Sequence, residues 1–133
     1  MKTGILGAGL MLAASMSMSM SMSAGAGVID DLHNRYRSAG AAAFSEARGQ
    51  ALWQTQGTEG RTCATCHGED LRQAGKHATT QKPIEPMASS ANATRYADAA
   101  KVEKWFLRNC KWTWGRECSA QEKGDLLQYL RSL

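Results

Sequence analysis

Cys63-Ala64-Thr65-Cys66-His67 is the stretch of this chain whose residue types and spacing can do chemistry. Two thiols with two residues between them can each form a thioether with one vinyl group of a porphyrin, and the histidine that follows then lies beneath the iron. On that reading Cys63 and Cys66 hold one haem c covalently, and His67 is the proximal ligand that sets the electronics of the metal. Two other chemistries use the same letters. A thioredoxin-like pair sits between a β-branched strand and a helix, yet Gly57-Thr58-Glu59-Gly60-Arg61-Thr62 precedes this one and no such strand is visible. A zinc ribbon needs a second close pair, whereas the remaining cysteines, Cys110 and Cys118, have seven residues between them. Five fixed letters also occur by chance, so the rest of the chain must supply the setting.

The chain has 133 residues, enough for one small domain. It opens with Lys2, an apolar run from Ile5 to Ala14, an alternating Ser-Met repeat to Ser23, and Ala24-Gly25-Ala26. A positive end, an apolar core and a small-x-small exit are the anatomy of a secretory signal, too short and too serine-rich to span a bilayer. The expected division is a signal peptide over 1–26, with cleavage after Ser23 as the alternative, and a monohaem domain over 27–133. Export to the periplasm would place the cysteines in an oxidising compartment, where a spare pair tends to bond, and Cys110 and Cys118 are that pair. Removing the leader takes Lys2 from the 16 Lys+Arg and leaves 15 against 12 Asp+Glu, a charge of +3 that two haem propionates bring close to neutral. No basic run with interleaved aromatics is present, so nucleic-acid binding has no footprint here.

The elements that must position the motif read as helices. Val28, Leu32 and Tyr36 recur at four-residue steps, which predicts a short amphipathic helix from Val28 to about Ala39. A second helix is expected from an N-cap at Ser45 to Thr55, and Gly49 in its interior, costing up to ~1 kcal/mol against alanine, suggests close approach by another helix. The segment from Gly68 to Ala93, with Gly75, Pro83 and Pro86, reads as a long loop closing one edge of the haem, with at most a helical turn over Asp70 to Ala74. A third helix is expected from an Asp98 cap to Cys110, with Val102, Trp105, Phe106 and Asn109 on one face. The last opens with the capping box Ser119-Ala120-Gln121-Glu122 and turns Leu126, Leu127, Leu130 and Leu133 inward. The fold class is therefore all-α, four to five helices wrapped around one haem.

What lies opposite His67 decides the function. Met87, in a proline-containing loop after the motif, is one candidate ligand, and a methionine covering the haem edge is the alternative reading of it. Asn109 is another: an amide on an otherwise apolar face needs a partner if buried, although an asparagine near a helix end can also bond the last carbonyls. His77 and His33 lie on no clear apolar face and read as surface histidines. Trp112 and Trp114 read as packing aromatics.

Several segments together resemble the SHP (sphaeroides haem protein) family of class I-like monohaem cytochromes, which is related to cytochrome c″. They are Cys63-Ala64-Thr65-Cys66-His67-Gly68, Lys82-Pro83-Ile84-Glu85-Pro86-Met87-Ala88, the helix Val102 to Cys110 ending Arg108-Asn109-Cys110, Gly115-Arg116-Glu117-Cys118, and Glu122-Lys123-Gly124-Asp125-Leu126-Leu127. The resemblance runs from about Gly49 to Leu130. It implies a cytochrome c-like fold, a distal iron bond from Asn109, and a disulfide between Cys110 and Cys118. Cytochrome c″ carries a histidine where this chain has Asn109, so bis-histidine coordination is not expected. Met87 is a departure from a member of that family with another apolar residue at this position.

The two ligands imply different proteins. A thioether is soft and stays on ferrous iron, which suits a plain electron carrier with stable His67–Met87 coordination. An amide oxygen is hard and is expected to let go on reduction, leaving a pocket walled by Val102, Trp105 and Phe106 in which dioxygen or nitric oxide could bind. The implied partners are a diatomic gas and a redox partner protein, another c-type or a membrane b-type cytochrome, meeting a monomer or weak dimer. No acid/base constellation for a dedicated enzyme accompanies the motif, although slow reduction of dioxygen needs none.

Overall fold

The structure, a computed structural model, describes residue 1 and residues 24–133. Residues 2–23 of the expected leader thus lie outside the described residues. Ala24–Ser38 forms α1, Glu46–Gln54 α2, Ala64–His67 α3, Ala99–Trp114 α4 and Ala120–Ser132 α5, with a 3₁₀ turn at Thr58–Gly60. Within the long loop Gly75–Lys76 (β1) pairs antiparallel with Pro83–Ile84 (β2). Two residues a side are too few for a periodicity signal, and no expectation covered this ladder.

The core gathers on α5. Ser119 accepts a bond from the Glu122 N–H while the Glu122 side chain accepts from the Ser119 N–H, so the expected capping box forms. Leu126, Leu127 and Leu130 are buried, and α1 and α2 pack against this helix. Gly49 sits where α2 crosses it: a Cβ there would stand 2.7 Å from the Asp125 carbonyl carbon and from Tyr129 Cβ. Its propensity cost is thus the condition for close backbone contact. Asp125 clamps the same crossing, accepting from the Ser45 N–H at 2.7 Å, from Arg48 Nε at 2.8 Å and from Gln121 Nε2 at 3.2 Å. Burial disfavours its charge, yet those donors hold its carboxyl below the usual range. Ser45 caps α2 as expected, its hydroxyl accepting from the Arg48 N–H.

Three expectations need correction. The first helix begins at Ala24, four residues before Val28, and Gly25 is buried with its Cα side 2.8 Å, measured from an added Cβ, from the Ala93 carbonyl oxygen. The third extends four residues past Cys110 to Trp114, because nothing breaks it before Gly115, which takes φ 69° as the C-cap. His33 is not a surface residue: it is 3% exposed, its Nε2 lies 3.1 Å from the Gly124 carbonyl oxygen, and its ring stacks on Phe44 at 4.4 Å. Phe44, from the α1–α2 connection, completes an apolar wall that helical spacing alone does not reveal.

Candidate haem site

The attachment residues occupy one tight turn. Cys63 precedes α3 and His67 ends it, with Gly68 leaving the helix at φ 77°. The β1 strand crosses directly over this turn, so that a Cβ on Gly75 would lie 2.7 Å from His67 Cα. Cys63 and Cys66 are both unbridged, whereas Cys110 and Cys118 are joined as a disulfide with their Cα atoms 5.7 Å apart. The second cysteine pair is therefore committed elsewhere, which removes the zinc-ribbon alternative.

His67 faces a cavity of about 760 Å³, within the range of cofactor sites. Burial, reinforced by the charge of Arg95, pushes its imidazole down to about 4, so it is neutral and able to bind a metal. Its Nδ1 is buried without a hydrogen-bond partner among the described residues. Trp53, 4% exposed, lies against it with ring centroids 5.4 Å apart and touches Tyr129 of α5 on its other side at 6.4 Å. Trp53 thus carries the position of α2 and α5 to the His67 imidazole. The motif did not point to this residue; its signal was Trp53 lying one helical turn beyond Gly49, on the same face.

Cys63, Cys66 and His67 line the cavity together with Val102, Trp105, Phe106 and Asn109 of α4, as the helical spacing predicts. Trp105 differs in one respect, since 47% of it remains exposed at the mouth, with the Arg108 guanidinium 5.2 Å from its ring centre. Asn109 lies five residues before the end of α4 and is not a helix-end residue, so its amide is not needed to cap the last carbonyls. Met87 lines the same cavity from the loop. Its N–H donates to the Leu71 carbonyl at 2.9 Å and its carbonyl accepts from the Tyr96 hydroxyl at 2.5 Å. Both candidate distal ligands therefore share one space with His67. His77 is at the rim and uses Nδ1 to accept the N–H groups of Thr79 and Thr80, whereas His33 is remote, behind α5.

Two unbridged thiols and a neutral imidazole on one turn, facing a largely apolar cavity, fit a porphyrin attached through both vinyl groups. Cys63 and Cys66 would take the thioethers and His67 the iron.

Comparisons with known proteins give the family. The family model described as a domain of unknown function (DUF1924) matches residues 39–130. Cytochrome c-type protein SHP of Cereibacter sphaeroides is 43% identical over 99 residues, 71% of this chain and 76% of that protein. Cytochrome c″ of Methylophilus methylotrophus is 38% identical over 68 residues, 51% of this chain and 47% of that protein, so the match spans less than half of its length. Oxidised SHP, described as an oxygen binding cytochrome c, superposes with a TM-score of 0.73 at 40% identity, covering 79% of this chain and 96% of its own. For oxidised cytochrome c″ the TM-score is 0.67 at 29% identity, with 80% and 92% covered. A helical fold, an attachment turn on a porphyrin-sized cavity and these relatives converge: the chain belongs to the DUF1924 family and to the SHP group of c-type cytochromes, and it carries covalently bound haem c.

Proposed function

We propose that this cytochrome is exported to the periplasm, holds iron between His67 and a weak distal Asn109, and gives up Asn109 on reduction so that a diatomic gas can enter. The carrying observation is the position of Asn109: it lines the haem cavity from mid-helix, one turn after Trp105, and its neighbour Cys110 is bonded to Cys118, just ahead of α5. The haem supplies a one-electron couple and, when its distal side is vacant, a site for dioxygen or nitric oxide. The chain supplies the rest. Val102 and Phe106 make an apolar wall, and a swung-out Asn109 amide retains N–H groups that can donate to an entering ligand. The relative described as an oxygen binding cytochrome c supports a gas ligand. Electrons would come from a redox partner protein.

Met87 favours a second reading, a plain electron shuttle with His67–Met87 coordination, because the loop anchors its backbone at the cavity. Carbon monoxide added to the reduced protein separates the two: prompt binding supports the Asn109 reading, and refusal supports Met87. Spectra of Asn109→Ala and Met87→Leu in both oxidation states identify the ligand, and a change in the ferric ligand field for Met87→Leu alone would sink the proposal. The site of export cleavage is open to intact-mass measurement. A cut after Ala26 removes the first turn of α1, including the packed Gly25, and a cut after Ser23 keeps it.

A further inference from the structure

The loop that leads into the attachment turn also caps the helix that carries Asn109. Helix α4 ends at Trp114, so the Trp112 carbonyl is among the last four that find no partner within a helix. Arg61, two residues before Cys63, donates from a guanidinium nitrogen to that carbonyl at 3.1 Å. Its guanidinium also lies over the Trp112 ring, 4.6 Å from the centre, where a cation is favoured both by the aromatic face and by the negative end of the helix. Trp114 returns the contact, donating from Nε1 to the Thr55 carbonyl at 3.1 Å. Between these two bonds the backbones meet directly: a Cβ on Gly57 would collide with the Thr113 carbonyl and the Trp114 ring. The loop is itself closed by the Gly57 N–H donating to the Arg61 carbonyl at 2.8 Å. Asn109, Trp112 and Thr113 all line the haem cavity from this last stretch of α4.

We infer that Arg61 and Trp114 are positioning residues for the distal side: they fasten the Asn109 end of α4 to the proximal attachment loop and so set how firmly Asn109 closes over ferric iron. The inference rests on the proposed Asn109 ligation and adds to it a restraint separate from the Cys110–Cys118 bond. That bond ties α4 to the segment just ahead of α5, whereas the Arg61 clasp ties α4 to the chain entering Cys63. The distal ligand is thereby referenced to the porphyrin's own anchor, across only three residues from Asn109 to Trp112 and two from Arg61 to Cys63.

The test uses ferric holoprotein and imidazole, a neutral exogenous ligand whose binding is not altered simply by removing the arginine charge. Arg61→Met keeps the aliphatic bulk and removes the donors. Imidazole affinity should rise on the order of tenfold, the size of a lost hydrogen bond to a charged group reduced for partial exposure. The ferric electronic and electron-spin-resonance spectra should gain a high-spin component. Arg61→Lys, which can still donate to the carbonyl, should restore most of the wild-type affinity, and carbon monoxide affinity of the ferrous protein should stay unchanged. Trp114→Phe keeps the ring but loses the bond to Thr55, and it should move imidazole affinity in the same direction, which keeps the test open if Arg61→Met does not accumulate. Combining either variant with Asn109→Ala should abolish its effect. If Asn109→Ala opens the ferric site while Arg61→Met and Trp114→Phe do not, the positioning role is wrong and the ligand assignment stands. An equal Arg61→Met effect in the Asn109→Ala background would also overturn it, by showing that the residue acts elsewhere. If Asn109→Ala leaves ferric imidazole affinity unaltered, the distal assignment itself fails.

Discussion

Replacing both Cys110 and Cys118 by alanine opens a link whose partners are 8 positions apart in sequence. In the chain-entropy model a loop of that size restrains the unfolded state by roughly 2.5 kcal/mol. Haem thioethers at Cys63 and Cys66 would close only the short span between those two residues and would not substitute for it. For a domain of this size each kcal/mol shifts the midpoint by several degrees, so the double variant should melt roughly 10–20 °C below wild type when followed by far-ultraviolet circular dichroism. The loss should not be purely global. Cys110 directly follows Asn109, and without the bond α4 loses its tether to the start of α5 while keeping the contacts of Arg61 and Trp114. The ferric spectrum should therefore show partial high-spin character at temperatures well below the melt. A midpoint lowered by less than about 3 °C would refute the entropic estimate. A lowered midpoint with a ferric spectrum identical to wild type would refute the coupling between the disulfide and the distal ligand.

Gly49→Ala should destabilise by about 1–3 kcal/mol through overpacking, because its Cβ meets Asp125 and Tyr129 at a backbone crossing that can relax only by separating α2 from α5; denaturant titration at constant slope measures this. The same variant should perturb the proximal ligand, since Trp53 rides on α2, and a changed Soret band at native temperature would register it. Asp125 is held below its ordinary value of 3.8, so its stabilisation is complete above that pH and lost as pH falls through its lower folded value. Asp125→Asn should cost ~1–2 kcal/mol near neutrality and flatten the stability profile below pH 4, and an unchanged acid limb would contradict the pairing. Burial lowers His33 from its ordinary 6.5, against the bond to the Gly124 carbonyl, so folding favours its neutral form. Stability should decline as pH drops below 6.5, and urea midpoints of His33→Gln should lack that decline.

The features legible in the sequence were those whose physics is local. The attachment turn, the Ser45 cap and the Ser119 capping box each depend on residues within five positions of one another. Gly49 was legible for a related reason, since a glycine inside a helix requires some compensating contact, and only the partner was missing. The stripe Val102, Trp105, Phe106, Asn109 came from helical period, which fixes a face but not its neighbour. The unread features depend on distant groups. His33 lacks an apolar stripe of its own and is buried by Phe44 and the Gly124 carbonyl, the latter 91 positions away. The extension of α4 to Trp114 is completed by Arg61, 51 positions upstream of the carbonyl it caps. Trp53 reaches the proximal imidazole only because α2 and α5 meet at a glycine. Neither Asn109 nor Met87 could be set aside by pattern, because helix and loop converge on one cavity.

The strand crossing above the attachment turn bears on how the molecule is made. With Gly75 seated on the His67 backbone, the strand covers one side of the turn, and burial pushes the Cys63 thiol up to about 11. Only a thiolate is a strong nucleophile, so the folded chain holds Cys63 in its less reactive form. Attachment at Cys63 should therefore be easier on a chain whose strand pair has not yet closed over the turn than on the finished fold.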